Sequence, residues 1–365
     1  MLPSPASDPA ALIVHSVEPL NAEPLLARLR ARFRTATTDF YVRNHGAMPI
    51  IDDESYRLTI HGRVRAPQEF TLADIQDRFR SRSVMATLQC AGNRRVELQQ
   101  VAPTSGEPWA AGAIGNAEWT GVSLVDVLSE AGAELNPELH VAFEGADAAQ
   151  NEDAPDAAFG VSIPMAKATQ PDVLLAWAMN GEGLTREHGA PLRVIVPGFA
   201  GVRSAKWLRS ITVQDQPSNA AQQSRDYLLY PPHIRKETAS AGEGLTITAM
   251  PLNSAICSPP ADAVLPAGLI EVRGYAIASG RAVARVDVSP NGGRDWVQAE
   301  IEDHGEHRWS WVFWRAALDL SAGEHDLAVR AWDSAGQTQP ETIASSWNFR
   351  GYLCAAWNRV RIETR

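Results

Sequence analysis

Residues 269–277 read LIEVRGYAI, and similar short runs rich in apolar residues recur until the chain ends. The next ones are VARVDVS (283–289), DWVQAEI (295–301), RWSWVFW (308–314) and HDLAVRAWD (325–333). Turn residues separate them at Asn291-Gly292-Gly293, Ser321-Ala322-Gly323 and Ser334-Ala335-Gly336. Short strands at regular spacing with such turns predict an all-β, immunoglobulin-like sandwich.

Tryptophan is concentrated in the same region. Of the 11 tryptophans in the chain, seven lie there: Trp296, Trp309, Trp311, Trp314, Trp332, Trp347 and Trp357. We expect most of them in the core, although a surplus of aromatic side chains is also typical of a dimer interface.

The chain before about residue 225 mixes short helices and strands without regular alternation, which predicts a mixed α+β domain rather than a doubly wound sheet. Helices are predicted over 21–33 with Asn21 as N-cap, over 71–79, and over 123–133, where Ser123 and Asp126 form a capping-box pattern. Strands are predicted over 55–64, 173–183 and 191–198. Residues 226–244, DYLLYPPHIRKETASAGEG, suit a domain edge, so we divide the chain into 1–230 and 231–365.

Composition excludes several classes of partner. The chain has 365 residues, 45% of them hydrophobic, and a formal net charge of −10, which argues against nucleic acid and anionic membranes as general partners. No stretch approaches the ~20 apolar residues of a membrane helix, and the first residues lack the pattern of an export signal. Three widely spaced cysteines do not make a disulfide framework. We therefore expect a cytoplasmic protein.

A lone cysteine stands in the stretch LQCAGNRR (88–95), after an apolar run and before two arginines. Taken locally, Cys90 could be a packed thiol, a nucleophile or a metal ligand, because nearby positive charge favours the thiolate. Arg94 and Arg95 would ordinarily be solvated surface charges. Arg350, in WNFRG (347–351), is flanked by aromatic residues, a setting that favours a stacked guanidinium able to recognise an oxyanion.

Ten segments in order resemble the sulfite oxidase family of molybdopterin enzymes. They are FYVRNHG (40–46), LQCAGNRR (88–95), GEPWAAGAIGNAEWTGVSL (106–124), FEGAD (143–147), FGVSIPMAKA (159–168), DVLLAWAMNGEGL (172–184), REHGAPLRVIVPGFAGVRSAKWL (186–208), RDYLLYPP (225–232), VSPNGGRDW (288–296) and WNFRGYLCAAWNRVRI (347–362). They span both proposed domains. The family fold, a mixed α+β molybdopterin-binding domain followed by an immunoglobulin-like dimerisation domain, agrees with the pattern of strands and helices.

The resemblance implies roles for particular residues. Cys90 matches the cysteine that binds molybdenum beside the cofactor's dithiolene sulfurs, which suits the affinity of thiolate for such a metal. The positions that match the substrate pocket are Arg43, Arg95, Trp109, Tyr227 and Arg350. The positions that match the surroundings of the pterin and its phosphate, beside Arg43 and Cys90, are His45, Asp147, His188, Arg193, Ser204 and Lys206.

The resemblance also implies an activity. The cofactors would be molybdenum and molybdopterin, and sulfite would be oxidised to sulfate by oxo transfer from Mo(VI). We expect a homodimer joined by the C-terminal domain, and no haem in this chain. An external acceptor, oxygen or a cytochrome, would then take the electrons.

Two alternatives stay open from the sequence. Eukaryotic nitrate reductase shares the molybdenum domain and runs oxo transfer in the opposite direction, although it usually has methionine where Arg350 stands. A non-enzymatic dimeric binding protein would use Cys90 only as a buried thiol.

Overall fold

Buried and exposed residues alternate along the C-terminal strands, and the buried faces pack together as the sandwich that the sequence predicts. In the computed structural model, which describes residues 12–148 and 157–365, two sheets face each other across a core that includes Val272, Val286, Trp314 and Leu327. Strand β17 (Gly268–Ile277) pairs antiparallel with β21 (Val312–Leu320). The remaining strands of this domain are β15 (Asn253–Ser258), β16 (Ala263–Leu265), β18 (Val283–Ser289), β19 (Val297–Gln298), β20 (Glu300–Ile301), β22 (Gly323–Asp333) and β23 (Asn358–Thr364). The two sheets have the strand orders β15-β17-β21-β20 and β16-β23-β22-β18-β19.

The N-terminal part is mixed α+β, as expected. It contains two five-stranded sheets, with β5, β6, β9, β10 and β11 in one and β3, β4, β7, β8 and β12 in the other. A large apolar core lies between them and includes Leu58, Val122, Val141 and Leu175. The strands are β1 (Leu12–Val17), β2 (Leu20–Pro24), β3 (Leu58–Gly62), β4 (Gln68–Phe70), β5 (Ser81–Gln89), β6 (Ile114–Ser123), β7 (His140–Ala148), β8 (Ala158–Pro164), β9 (Leu174–Met179), β10 (Glu182–Gly183), β11 (Arg193–Ile195), β12 (Leu208–Gln214), β13 (Leu228–Leu229) and β14 (Leu245–Thr246).

Helices in the described residues are short. The α-helices are α1 (Leu26–Leu29), α2 (Leu72–Arg78), α3 (Arg95–Leu98), α4 (Leu124–Glu130) and α5 (Met165–Ala168). Single 3₁₀ turns cover Thr37–Asp39, Arg186–His188, Gly201–Arg203, Ala241–Glu243 and Ile343–Ser346, and a π turn covers Gln222–Asp226. Across residues 12–148 and 157–365, no helix has the length and apolar character needed to cross a membrane.

Two local predictions are wrong. The helix expected over 21–33 is strand β2 followed by the single turn α1, because tertiary bonds hold the segment extended. Asn21 Oδ1 accepts a hydrogen bond from the Asn44 N–H (2.8 Å), and the Glu23 carboxylate accepts from the N–H groups of Ala110 (2.7 Å) and Gly112 (2.9 Å). At α4 the Ser123 hydroxyl does not cap the helix but donates to the Pro171 carbonyl (3.1 Å).

Residues 245–250 follow the proposed domain edge and pack on the first domain. Strand β14 pairs with β13, and the Ile247 N–H donates to the Tyr227 carbonyl at 3.0 Å. The Met250 N–H donates to the Gly198 carbonyl, also at 3.0 Å. The boundary between residues 230 and 231 stays a prediction.

The loop after β5 joins the two domains through a buried arginine. Arg94 is fully buried and adopts a left-handed backbone conformation (φ 67°). Its guanidinium donates twice to the Glu97 carboxylate (2.7 and 2.6 Å) and once to Asn253 Oδ1 (2.7 Å) at the start of β15. Asn358 of β23 donates to the same carboxylate at 2.9 Å. Arg94 is therefore an interdomain clamp, not the solvated charge expected from its sequence.

We expect Arg94→Met to destabilise the protein by about 3–5 kcal/mol, because removing one partner of a buried ion pair leaves the other charge uncompensated. The control is Arg34→Met, since Arg34 pairs with Glu118 at the surface (3.2 Å, Arg34 side chain 51% exposed). That variant should lose less than ~1 kcal/mol. Denaturant unfolding measures both, and equal stabilities for the two variants would contradict the clamp.

Candidate active site

A cleft of about 650 Å³, partly open to solvent, lies in the first domain where β5 ends. It brings together side chains that are far apart in sequence. Its lining comprises Phe40, Tyr41, Arg43, Asn44, His45, Leu88, Cys90, Ala91, Asp147, Phe159, Glu187, His188, Arg193, Gly201, Val202, Ser204, Ala205, Lys206, Trp207 and Tyr227. Nine of the residues that the sequence nominated are among them.

Cys90 sits in this cleft directly after β5. Antiparallel pairing of β5 with β6 fixes its backbone, because Gln89 lies opposite Ile114 and the Cys90 N–H donates to the Ala113 carbonyl at 2.9 Å. The side chain is buried (5% exposed) and its Sγ accepts the Gly92 N–H at 3.4 Å. The sulfur is thus held at a fixed place in the wall of the cleft, as a metal ligand must be.

In the described part of the chain, protein side chains alone do not build a metal site. Within 12–148 and 157–365, no group of three or more His, Cys, Asp or Glu residues is placed to hold a metal ion. A metal that an organic cofactor already holds needs only one ligand from the protein, and Cys90 is a candidate for it.

One end of the cleft carries two cations, Arg193, which is buried, and Lys206, which is half-buried. The Arg193 guanidinium donates to the carbonyls of His188 (2.8 Å) and Ser204 (3.1 Å), and burial lowers its pKa to about 10. The Lys206 ammonium donates to the Glu187 carbonyl (2.8 Å) and to Asn44 Oδ1. Burial lowers the pKa of Lys206 well below its usual value, and the nearby Arg193 lowers it further. Such desolvated cations are stabilised by a bound anion.

Asp147 faces the same end of the cleft. Burial raises the pKa of its carboxyl to about 6, and Lys206 opposes this rise. Its Oδ1 atom is buried without a hydrogen-bond partner in the described part of the chain, and the same is true of Arg193 Nε. Unpaired buried polar atoms are costly, so this end of the cleft suits a ligand that offers hydrogen-bond donors as well as negative charge.

The other side of the cleft holds a tyrosine–histidine pair. The His45 Nε2 atom lies 2.6 Å from the Tyr227 hydroxyl. Burial lowers the pKa of His45 well below its usual value, with Arg43 and Lys206 adding to the effect, while burial raises the pKa of Tyr227. Both groups are therefore uncharged at neutral pH. Arg43, beside them, donates to Asn21 Oδ1 at 3.2 Å.

Arg95 lies in a slot made of glycines. A Cβ added at Gly92, Gly106 or Gly351 would come within 2.4, 2.8 or 2.7 Å of Arg95 side-chain atoms. Its Nε donates to the Gly351 carbonyl (3.1 Å) and its Nη1 to the Glu107 carbonyl (2.6 Å). The guanidinium carbon lies 5.2 Å from the centre of the Tyr352 ring, which in turn stacks on Tyr227.

Arg350 and Trp109 do not line the cleft. Arg350 is half-buried, donates through Nη2 to the Arg225 carbonyl at 3.1 Å, and has a buried Nε without an acceptor in the described ranges. Trp109 is fully buried, with its ring edge-on to His15 at 4.8 Å and its indole N–H likewise unpaired. Arg95 is also absent from the lining, so the structure places three nominated residues, Arg95, Trp109 and Arg350, beside the cleft and not in its wall.

Polar residues that the sequence did not nominate include Tyr41 and Asn44, which line the cleft, and Tyr352, which lies beside it. Asn44 connects two elements, accepting from Lys206 and donating to the Leu20 carbonyl at 3.0 Å. Asn44 and Tyr41 lie inside FYVRNHG, and Tyr352 lies two residues after Arg350. The signal in the sequence that could have identified them is that each lies within two residues of an arginine assigned to the site.

Comparison with known proteins identifies the class of enzyme. Residues 45–222 match the family described as "Oxidoreductase molybdopterin binding domain", and residues 245–365 match "Mo-co oxidoreductase dimerisation domain". The protein is a molybdopterin-dependent oxidoreductase, and the predicted fold class is confirmed.

Sulfite oxidase of Gallus gallus is 42% identical over 357 residues, covering 95% of this chain and 77% of the relative. Sulfite oxidase of Arabidopsis thaliana is 39% identical over 375 residues, covering 96% of this chain and 94% of the relative. The crystal structure of the sulfane dehydrogenase SoxCD from Paracoccus pantotrophus superposes with a TM-score of 0.78 at 27% identity, covering 98% of this chain and 86% of that chain. The chain belongs to the sulfite oxidase family.

The residues of the cleft fit the cofactor of this family. Molybdopterin carries a phosphate and a pterin with N–H groups, and these complement the two cations and the unpaired Asp147 Oδ1. Cys90 is a single soft ligand beside space for a metal that brings its own sulfur ligands.

His188 should make the cofactor-free protein sensitive to acid. It is buried (4% exposed) and donates through Nε2 to the Thr37 carbonyl at 3.2 Å, and burial, Lys206 and Arg193 lower its pKa to about 3. In the unfolded chain this histidine takes up a proton near pH 6.5, whereas in the folded protein it stays neutral until the pH approaches 3. The stability associated with His188 is therefore complete above pH 6.5 and falls by about 1.4 kcal/mol per unit of pH as the pH drops towards 3.

We expect His188→Gln to remove this dependence between pH 6.5 and 5, measured as the free energy of unfolding at each pH. The exposed His233→Gln is the matched control and should keep the wild-type slope. A His188→Gln variant with the wild-type slope would contradict the assignment.

Proposed function

We propose that the protein oxidises sulfite to sulfate and passes the two electrons to an external acceptor. The observation that carries the proposal is one cleft in which the thiol of Cys90 lies beside two cations on one side and a tyrosine–arginine group on the other. Family membership supports the reaction, since the relatives at 42% and 39% identity are sulfite oxidases.

When bound, the molybdenum–molybdopterin cofactor supplies the oxygen-atom transfer and accepts the two electrons. The protein contributes binding and orientation. Cys90 would be the ligand to the metal. The residues that would hold the pterin and its phosphate are His45, Asp147, His188, Arg193, Ser204 and Lys206.

Arginines would hold the substrate. Sulfite is an anion, and the protein has a formal net charge of −10, so the site needs a local positive field. Arg43, Arg95 and Arg350 would supply it, while the protonated Tyr227 donates a hydrogen bond to a substrate oxygen. Because Arg95 is only 4% exposed, its attraction for the anion is weakly screened by water.

The acceptor in this proposal is oxygen or a separate cytochrome, and the proposal includes a chain that carries no haem. We also propose a homodimer joined through residues 231–365, which the description of the matched C-terminal region supports. A cytoplasmic location is proposed on sequence grounds alone.

A steady-state assay tests the reaction. Purified holoenzyme should reduce ferricyanide in the presence of sulfite and should not oxidise reduced viologen in the presence of nitrate. Nitrate reduction without sulfite oxidation would favour the nitrate-reductase alternative. Colourless, molybdenum-free protein that folds normally would favour a binding protein. Replacing ferricyanide by oxygen or by cytochrome c then identifies the acceptor.

Cys90→Ser should remove one sulfur from the metal's coordination shell, because a hydroxyl is a poor substitute for a soft thiolate. X-ray absorption at the molybdenum edge measures this directly. Cys354→Ser is the matched control, since that thiol is also buried but lies outside the cleft. A Cys90→Ser spectrum identical to that of the wild type would exclude Cys90 as a ligand.

Arg350→Met should raise KM for sulfite by about 10- to 100-fold, the effect of one lost bond to a charged group. The melting temperature should change little, because Arg350 is half-buried and has one hydrogen bond to the protein. Arg235→Met is the control, as Arg235 also stacks on an aromatic ring, that of Trp347 at 4.6 Å. An unchanged KM in Arg350→Met would remove this residue from the substrate pocket.

A further inference from the structure

The segment between β22 and β23 that carries Arg350 is tied to the loop of Cys90. The Leu353 N–H donates to the Ala91 carbonyl at 2.8 Å, and Arg95 donates to the Gly351 carbonyl at 3.1 Å. Between these two bonds stands Tyr352. Its own backbone is held by Asn348, which accepts the Tyr352 N–H (3.1 Å) and donates to the Tyr352 carbonyl (2.8 Å). The position of this tyrosine is therefore determined by the loop that carries the proposed metal ligand.

The ring of Tyr352 is packed on both the phenol and the cation of the site. It stacks on Tyr227 with 5.2 Å between ring centres and 15° between planes. The guanidinium carbon of Arg95 lies 5.2 Å from its centre. Only 9% of the residue is exposed. Stacking on Tyr227 and the contact with the Arg95 guanidinium together restrict how the Tyr352 ring can move.

The hydroxyl of Tyr352 is a donor without a protein acceptor, since no hydrogen bond to it is made by any residue of 12–148 or 157–365. Burial raises the pKa of Tyr352, and the charges of Arg95, Arg43 and Arg350 oppose this. The phenol therefore keeps its proton at neutral pH. All three arginines of the proposed substrate pocket are close enough to act on this one group.

We propose that Tyr352 is a substrate-binding residue, whose free hydroxyl donates a hydrogen bond to the oxyanion that Arg43, Arg95 and Arg350 attract. It is a second phenol beside Tyr227, supplied by the other domain. The inference rests on the proposed function in that it places the anion in the same pocket. A neutral donor adds one further directional hydrogen bond to those that the arginine side chains can donate.

The test uses holoenzyme and inorganic sulfate, a tetrahedral oxyanion like the product. Tyr352→Phe keeps the stacked ring and removes only the hydroxyl. We expect sulfate to bind on the order of tenfold more weakly by isothermal titration calorimetry, with KM for sulfite raised by a similar factor. Molybdenum content and melting temperature should match those of the wild type.

Tyr230→Phe is the matched control. Tyr230 is buried and packs against Phe349 of the same segment at 4.9 Å, but it lines a separate pocket with Pro231 and Trp347, whereas Tyr352 stacks on Tyr227. Its variant should bind sulfate like the wild type. If Tyr352→Phe also binds sulfate like the wild type, or if the two variants are weakened equally, the inference is wrong.

Should Tyr352→Phe lower the melting temperature, Tyr352→His is measured as well, because it restores a ring N–H donor. Sulfate affinity closer to the wild type than in Tyr352→Phe supports the inference, and affinity as weak as in Tyr352→Phe overturns it. Failure of the proposed function can be told apart from failure of this inference. Wild-type enzyme that binds sulfate through Tyr352 but does not oxidise sulfite would leave the anion site standing and reject the reaction.

Discussion

The buried ion pair of Arg94 and Glu97 is the contact on which the geometry of the site depends. It lies where the loop after β5 meets the first and last strands of the sandwich, and both Asn253 and Asn358 bond to it. Desolvating two charges is expensive, and the added hydrogen bonds offset that cost. Since Cys90 and Arg95 flank Arg94 in one short loop, their positions follow from how this pair docks on the second domain.

Burial gives the cleft an electrostatic character unlike that of the whole molecule. The protein is acidic, yet Arg193 and Lys206 are held where burial lowers their pKa values, and His188 is held neutral. These cations have few carboxylates beside them, and the pKa of one of those, Asp147, is itself raised to about 6 by burial. Such an arrangement is strained without an anionic ligand, and a bound phosphate would relieve it. Affinity for the cofactor is in this way linked to the stability of the fold.

Much of the fold could be predicted because its signals are local. Strand alternation and turn residues define the sandwich, and the Thr71–Asp74 capping box begins α2 within the helix expected over 71–79. The errors have a common cause in contacts between distant residues. Asn21 resembles an N-cap but bonds to Asn44, and Arg94 resembles a surface charge but pairs inside the domain junction. Cys90 was ambiguous for the same reason, as its local sequence does not contain the cations that face it.

The two domains contribute different residues to the site and its surroundings. Every residue that lines the cleft comes from positions 40–227, so the first domain alone would carry the surroundings of the proposed cofactor. Arg350 and Tyr352 come from the connection between β22 and β23, which is tied to the loop of Cys90 by the bonds of Leu353 to Ala91 and of Gly351 to Arg95. In the proposed function, changes in that connection would alter anion binding and leave the lining of the cleft intact. A rigid junction is then required, because a shift of about 1 Å is enough to misplace a charged donor and weaken catalysis substantially. The fully buried clamp at Arg94 provides that rigidity beside the proposed metal ligand.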